Sequence, residues 1–171
     1  MDCPFDCTDF NRYRVDLPYP RPVITEPNRR YACLISDAFS GAGSEMTAIT
    51  QYGIHRFYLA DLPEAYTAYL YIAASEMVHW QLLGQLVLEL GSSPQYASLQ
   101  SGRWWIGSNP AYRCTPPDIF ESDIKGERDA IAHYERLLLS IDDPEIRGLI
   151  RRIILDEEHH IRVLTALAAK I

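Results

Sequence analysis

Four stretches of the chain carry apolar residues at alternating spacings of four and three, the period of helices packed side by side at a shallow angle. The first is predicted from Pro27-Asn28 to about Leu59 and aligns Leu34, Ala38, Gly41, Glu45, Ala48, Tyr52, His55 and Leu59. The second opens at Asp61-Leu62-Pro63-Glu64, with Asp61 as its N-cap, and closes at Gly91; it aligns Ala65, Tyr69, Ile72, Glu76, His79, Leu83, Leu86 and Leu90. The third opens at Thr115-Pro116-Pro117-Asp118, runs to about Ile141 and aligns Phe120, Ile124, Glu127, Ile131, Tyr134, Leu138 and Ile141. The fourth opens at Asp142-Asp143-Pro144-Glu145, continues to about Ala169 and aligns Ile146, Ile150, Ile153, Glu157, His160, Leu164 and Leu167. Proline suits the first turn of a helix, where its missing N–H would have no partner anyway.

Two regions fall outside this pattern. Residues 1–27 hold prolines at Pro4, Pro18, Pro20 and Pro22 and no sustained period. They read as an irregular arm that packs on the body or on a neighbouring subunit. Residues 92–115, with Gly102, Trp104, Trp105, Gly107 and Pro110, also lack a period. So long an irregular link inside a compact domain needs a reason. A crossover between two helix hairpins supplies one, because the second and third helices then run parallel and the link travels the length of the bundle. The expected architecture is all-α, a four-helix bundle over residues 28–171 with one long crossover between helices 2 and 3. Trp104 and Trp105 are expected to anchor that crossover to the bundle or to another subunit, and Trp80 to pack outward.

Each stripe is interrupted by polar residues at its middle. Glu76 and His79 are three apart on the second, and Glu157 and His160 three apart on the fourth. Residues at that spacing share a helix face, so each pair presents one oxygen and one nitrogen to a common point. Glu45 and Glu127 are the acids of the other two stripes. Glu45 precedes Glu76 by 31 positions and Glu127 precedes Glu157 by 30, and a tyrosine, Tyr52 or Tyr134, follows each seven residues on. The chain thus reads as two related hairpins, each carrying Glu, Tyr, Glu and His in order.

Four carboxylates converging in an apolar core would be costly if left unbalanced. Two divalent cations bring four positive charges to meet them, and two neutral imidazoles complete the ligand set. Carboxylate and imidazole suit iron or manganese, and the lack of thiolate argues against structural zinc. Asp156 and His159 are also three apart, but they share a face with Arg152, which is expected in water. Glu157 and His160 are therefore chosen, with Asp156, Glu158 and His159 placed toward solvent or behind the ligands. Tyr52 and Tyr134 are either plain core tyrosines or hydroxyls that hold a metal-bound carboxylate in place. His55 is expected to be a packed or surface imidazole.

Composition narrows the function. The formal net charge of −7 argues against a phosphate-backbone binder, DNA protection included. No apolar run is long enough to span a bilayer, and the N-terminus lacks a signal-peptide pattern, so a cytoplasmic location is expected. Cys3, Cys7, Cys33 and Cys114 form no paired knuckle and are expected to be reduced thiols.

The Glu, Glu-x-x-His, Glu, Glu-x-x-His set resembles the ferritin-like superfamily of carboxylate-bridged dimetal bundles, whose ligand pattern is a known template for bundle metal sites. Within it, Ser44-Glu45-Met46-Thr47-Ala48-Ile49-Thr50-Gln51-Tyr52 and Ser75-Glu76-Met77-Val78-His79-Trp80 are similar to rubrerythrins and to the manganese catalase and spore-coat catalase-like group. The resemblance covers residues 28–169. It implies Glu45, Glu76, His79, Glu127, Glu157 and His160 as ligands of two ions, iron or manganese, with Glu76 and Glu127 bridging. There are departures: no rubredoxin module, Ile124 where rubrerythrins carry an extra glutamate, no long wrapping tail and no fifth helix. The resemblance implies a non-haem oxidoreductase acting on hydrogen peroxide or dioxygen, catalase- or peroxidase-like, with Glu157 also handling protons and with a homo-oligomeric assembly. Ferroxidase or iron-handling activity, and a metal-stabilised coat-like structural role, are the alternatives.

Overall fold

The computed structural model describes residues 10–171. Its helices are α1 (Arg29–Ser40), α2 (Glu45–His55), α3 (Pro63–Glu89), α4 (Pro116–Ser140) and α5 (Pro144–Ala168), with a 3-10 turn at Arg56–Leu59 after α2. The first stripe is therefore not one helix. It breaks at Gly41-Ala42-Gly43-Ser44, and Ser44 restarts it in extended geometry so that Glu45 is the first residue of α2. The apolar period runs through the break, which is why the stripe alone did not reveal it. The other boundaries follow local chemistry. Asn28 caps α1 by accepting from the Tyr31 N–H, Thr115 caps α4, and Asp143 caps α5 through the N–H groups of Glu145 and Ile146. At α3 the N-cap is Leu62, not Asp61, and no side chain caps it. Gly91 ends this rod in left-handed geometry at φ +83°, and a β-carbon there would lie 2.9 Å from Pro27.

The broken first rod (α1, α2) packs against α3, and α4 packs against α5, giving two hairpins. Contacts between them fix the directions. Glu45 meets Tyr134, Tyr52 meets Glu127 and His55 meets Asp123, so the first rod is antiparallel to α4. Glu64 meets Lys170 and His79 meets Asp156, so α3 is antiparallel to α5. Hence α3 and α4 are parallel, and the chain must return the length of the bundle between them. It does so along the first rod: Leu99 N–H bonds Ser36, Trp105 Nε1 bonds Thr47, Ala111 N–H bonds Gln51 and Arg113 N–H bonds His55. Trp105 anchors the crossover as expected, whereas Trp104 is exposed. Trp80 is half-buried and stacks on Phe39 and Tyr96.

Every stripe position of α3 and α5 is buried, including the glutamates and histidines. Apolar packing lies above and below the polar layer as two separate clusters, one around Ile35, Leu83 and Ile150, the other around Tyr69, Phe120 and Leu164. Among the described residues, Cys33 and Cys114 are free thiols, while Cys3 and Cys7 lie outside them. No described helix is long and apolar enough to cross a membrane.

Candidate metal centre

The six predicted side chains meet at one place between the two apolar clusters. Glu45, Glu76, His79 and Glu157 form one group, and Glu76, Glu127, Glu157 and His160 form a second; within each, one donor atom per residue lies within 4.8 Å of the others. All six are buried, none more than 4% exposed. Glu76 and Glu157 belong to both groups and so are the carboxylates within reach of both positions. The resemblance pointed to Glu76 and Glu127 as the bridging pair. Glu127 instead belongs to one group only, because it enters from α4 on the His160 side.

Both histidines turn the same nitrogen inward. His79 Nδ1 lies 2.9 Å from Glu76, 3.4 Å from Glu157 and 3.8 Å from Glu45. His160 Nδ1 lies 2.9 Å from Glu76, 3.1 Å from Glu157 and 3.5 Å from Glu127. Their outer nitrogens are anchored: His79 Nε2 lies 3.0 Å from Asp156 and His160 Nε2 lies 3.0 Å from the Tyr13 carbonyl. Anchoring one ring nitrogen in this way fixes the tautomer and leaves the other free to coordinate. The two unshared acids are clasped reciprocally: Tyr134 donates to Glu45 and Tyr52 donates to Glu127. Both tyrosines thus touch a candidate ligand rather than serving as core filler alone. Glu45 also sits in the first turn of α2, where the helix dipole favours a carboxylate.

The electrostatics record how unbalanced this set is by itself. Burial and the neighbouring Glu157 push the Glu76 carboxyl well up, and the same causes push Glu127 up to about 7. Burial acts on Glu157 too, but the two imidazoles outweigh it and hold that carboxyl at about 2. Both histidines are raised: burial opposes their charge, yet the surrounding carboxylates win. Burial and the adjoining glutamates drive Tyr52 and Tyr134 well up, so both stay protonated as donors. Two buried oxygens, Glu76 Oε1 and Glu157 Oε1, have no hydrogen bond, Glu76 Oε1 lying near His160 without the alignment for one. Both belong to the shared acids. Four carboxylates, two inward imidazole nitrogens and unpartnered oxygens at the centre fit a pair of hard divalent cations.

A cavity of about 390 Å³ opens onto the centre between the first rod and α4. Small residues such as Ala38, Ala42, Ala48 and Ala130 leave the room, and Glu45, Glu76, Glu127 and Glu157 form its inner wall. The histidines lie on the opposite side, on α3 and α5. A small molecule entering here meets the carboxylates first.

Sequence reasoning misplaced one residue and missed several neighbours. Arg152 is not in water but buried, 2.8 Å from Asp156, with its guanidinium also bonded to the carbonyls of Val15 and Leu17. Its burial is tolerable because Asp156, beside Nη1, neutralises it and the arm carbonyls accept from Nε and Nη2. Asp156 is fully buried behind His79, whereas Glu158 is exposed and His159 bonds the Arg12 carbonyl. The spacing of four between Arg152 and Asp156 was the available signal for a pair on one helix face. His55 is buried and bonded to Asp123, which Gln51 also holds.

The sequence model of the ferritin-like domain matches residues 42–171. The chain belongs to the ferritin-like domain family. No curated protein matches this ferritin-like chain in sequence. Among solved structures it is similar to a manganese catalase from Anabaena, at 21% identity and a TM-score of 0.80, over 90% of this chain and 79% of that one. It is also similar to the bacterioferritin of Rhodobacter capsulatus, at 22% identity and a TM-score of 0.67, over 83% and 85% of the two chains. A bacterioferritin of Mycobacterium tuberculosis matches at 22% identity and 0.66, over 83% and 86%. These likenesses establish the ferritin-like fold.

Proposed function

We propose that this chain is a dinuclear non-haem metalloenzyme that acts on hydrogen peroxide or dioxygen, in the manner of a catalase or peroxidase. The observation that carries the reading is the sharing of two buried carboxylates, Glu76 and Glu157, between two otherwise complete ligand groups that face a cavity. Glu45, Glu76, His79 and Glu157 would hold one ion, and Glu76, Glu127, Glu157 and His160 the other. Carboxylates and imidazoles of this kind serve iron and manganese alike. Such a pair would supply two-electron exchange with one small substrate.

The chain's own residues then have definite tasks. The cavity admits a small substrate from the carboxylate side. Glu157, which lines the cavity, is the group assigned to take up and return a proton. Tyr52 and Tyr134 keep Glu127 and Glu45 oriented while charge at the centre changes. The apolar clusters above and below exclude bulk water, which strengthens each of these interactions. The reading is supported by the manganese catalase likeness, and the assembly is proposed to be a homo-oligomer.

The test is reconstitution of metal-free protein with Mn(II) or Fe(II), followed by peroxide. Oxygen evolution identifies a catalase, and peroxide loss that requires a reductant identifies a peroxidase. Neither activity with either metal refutes the enzymatic reading. A second reading, oxidation of Fe(II) as substrate, is favoured by the donors that line the cavity ahead of the centre: half-buried His133, with Asp37 3.7 Å from it, and exposed Asp129, which is paired with Lys125. It requires turnover of excess Fe(II) with ferric product accumulating.

A further inference from the structure

We propose that the arm segment Tyr13–Tyr19, together with Asp156, makes the two metal positions unequal, the His79 position binding tightly and the His160 position depending on the arm. The inference rests on the dinuclear reading above and adds what sets the two affinities.

The two histidines are alike on the inside and different on the outside. His79 Nε2 meets a carboxylate, Asp156, at 3.0 Å. His160 Nε2 meets only a main-chain carbonyl, that of Tyr13, also at 3.0 Å. A carboxylate acceptor makes a charge-assisted bond and leaves the opposite ring nitrogen more electron-rich than a carbonyl does. The His79 group therefore offers the better donor.

The same stretch of arm builds both outer contacts. The Val15 N–H donates to Asp156 at 2.7 Å and the Tyr19 hydroxyl donates to it at 2.6 Å. The carbonyls of Val15 and Leu17 hold Arg152, which lies 2.8 Å from Asp156. Asp156 is thus fixed from three directions besides His79, and its place behind that ring survives the loss of any one donor. The Tyr13 carbonyl belongs to the arm itself, where the Tyr13 N–H also donates to the Phe10 carbonyl. It is presented to His160 by the stacking of the Tyr13 ring on Tyr71 of α3, with ring centres 5.5 Å apart and planes 3° from parallel. Asp156 and Tyr13 are positioning residues: each acts on the centre through a histidine.

Mn(II) titrated into the metal-free 171-residue chain tests this, read by calorimetry and by the EPR signals of isolated and coupled Mn(II). Two ions are expected to bind in two resolved steps. Asp156→Asn is expected to weaken the first step by about 10–100-fold, the usual effect of removing a ligand's outer partner. Tyr13→Ala is expected to weaken the second step alone, and Tyr13→Phe to leave it unchanged. Because Asp156→Asn strands the Arg152 charge, Arg152→Met/Asp156→Asn is measured beside it, with circular dichroism confirming the helices. A single unresolved step in the wild type, or variants that shift both steps equally, overturns the inequality. Wild-type protein that takes up no Mn(II) overturns the dinuclear reading, and the inequality with it.

Discussion

Replacing Glu76 by Gln keeps the size of the side chain but removes its charge from both ligand groups at once. Replacing Glu45 removes a ligand from the His79 group only, and replacing Glu127 from the His160 group only. The consequence can be worked as linkage. An ion at a hundred times its dissociation constant stabilises the folded state by about 2.7 kcal/mol. For a chain of this size each kcal/mol raises the melting temperature by roughly 2–4 °C. One filled position is therefore worth roughly 5–11 °C, and two independent positions about twice that. Scanning calorimetry with and without Mn(II), alongside elemental analysis, should show the full shift and two ions in the wild type. Glu45→Gln and Glu127→Gln should each retain one ion and part of the shift, Glu127→Gln the larger part because it keeps the His79 position. Glu76→Gln should retain almost none. In the metal-free protein the order reverses, since burial and Glu157 already disfavour the ionised form of Glu76; Glu76→Gln should melt higher than the wild type there. If Glu76→Gln kept both ions, or if Glu45→Gln lost both, the assignment of shared and unshared carboxylates would be wrong.

Other outcomes follow from the same geometry. Glu127 titrates at about 7 in the folded metal-free chain against 4.5 ordinarily, so its contribution to stability is complete below about 4.5 and is lost as pH rises through 7. The raised histidines act in the same direction above neutrality, so the metal-free melting temperature should fall as pH rises, and Glu127→Gln should flatten the fall between 4.5 and 7. Over the same interval Mn(II) should bind more tightly, because the entering ion displaces that proton, with an affinity change approaching tenfold per pH unit in buffered titrations. Tyr52→Phe should cost about 1–3 kcal/mol in urea unfolding, as Glu127 loses its buried donor, while two ions still bind. His55→Leu should cost about 3–5 kcal/mol by leaving Asp123 short of its partner. That variant also frees the Arg113 N–H, so trypsin should cut the crossover faster than in the wild type.

The parts of this molecule legible in its sequence were those set by period and local capping. The stripes of α3 and α5 are buried position for position, and the polar residues interrupting all four stripes meet at one centre. Thr115 and Asp143 could be read because a cap acts within one turn. The break before Glu45 was obscured because the break preserves the spacing of the stripe on either side, although Gly41 and Gly43 stand within it. Arg152 was misplaced because face arguments know only solvent and core, while the acceptors that hold it include the carbonyls of Val15 and Leu17, far away in sequence. The His55–Asp123 pair, 68 positions apart, has no sequence signal. Nor does the Tyr13 carbonyl, since any residue type carries one.

The apportioning of donors between the hairpins has a further meaning. The amino-terminal hairpin contributes three members to one group and a single member, Glu76, to the other; the carboxy-terminal hairpin contributes Glu157 to the first and three to the second. Neither half can therefore sequester an ion in a full set before the two have met. Cut the chain within the crossover and the ions become an adhesive between two polypeptides, joining them when supplied and releasing them to a chelator.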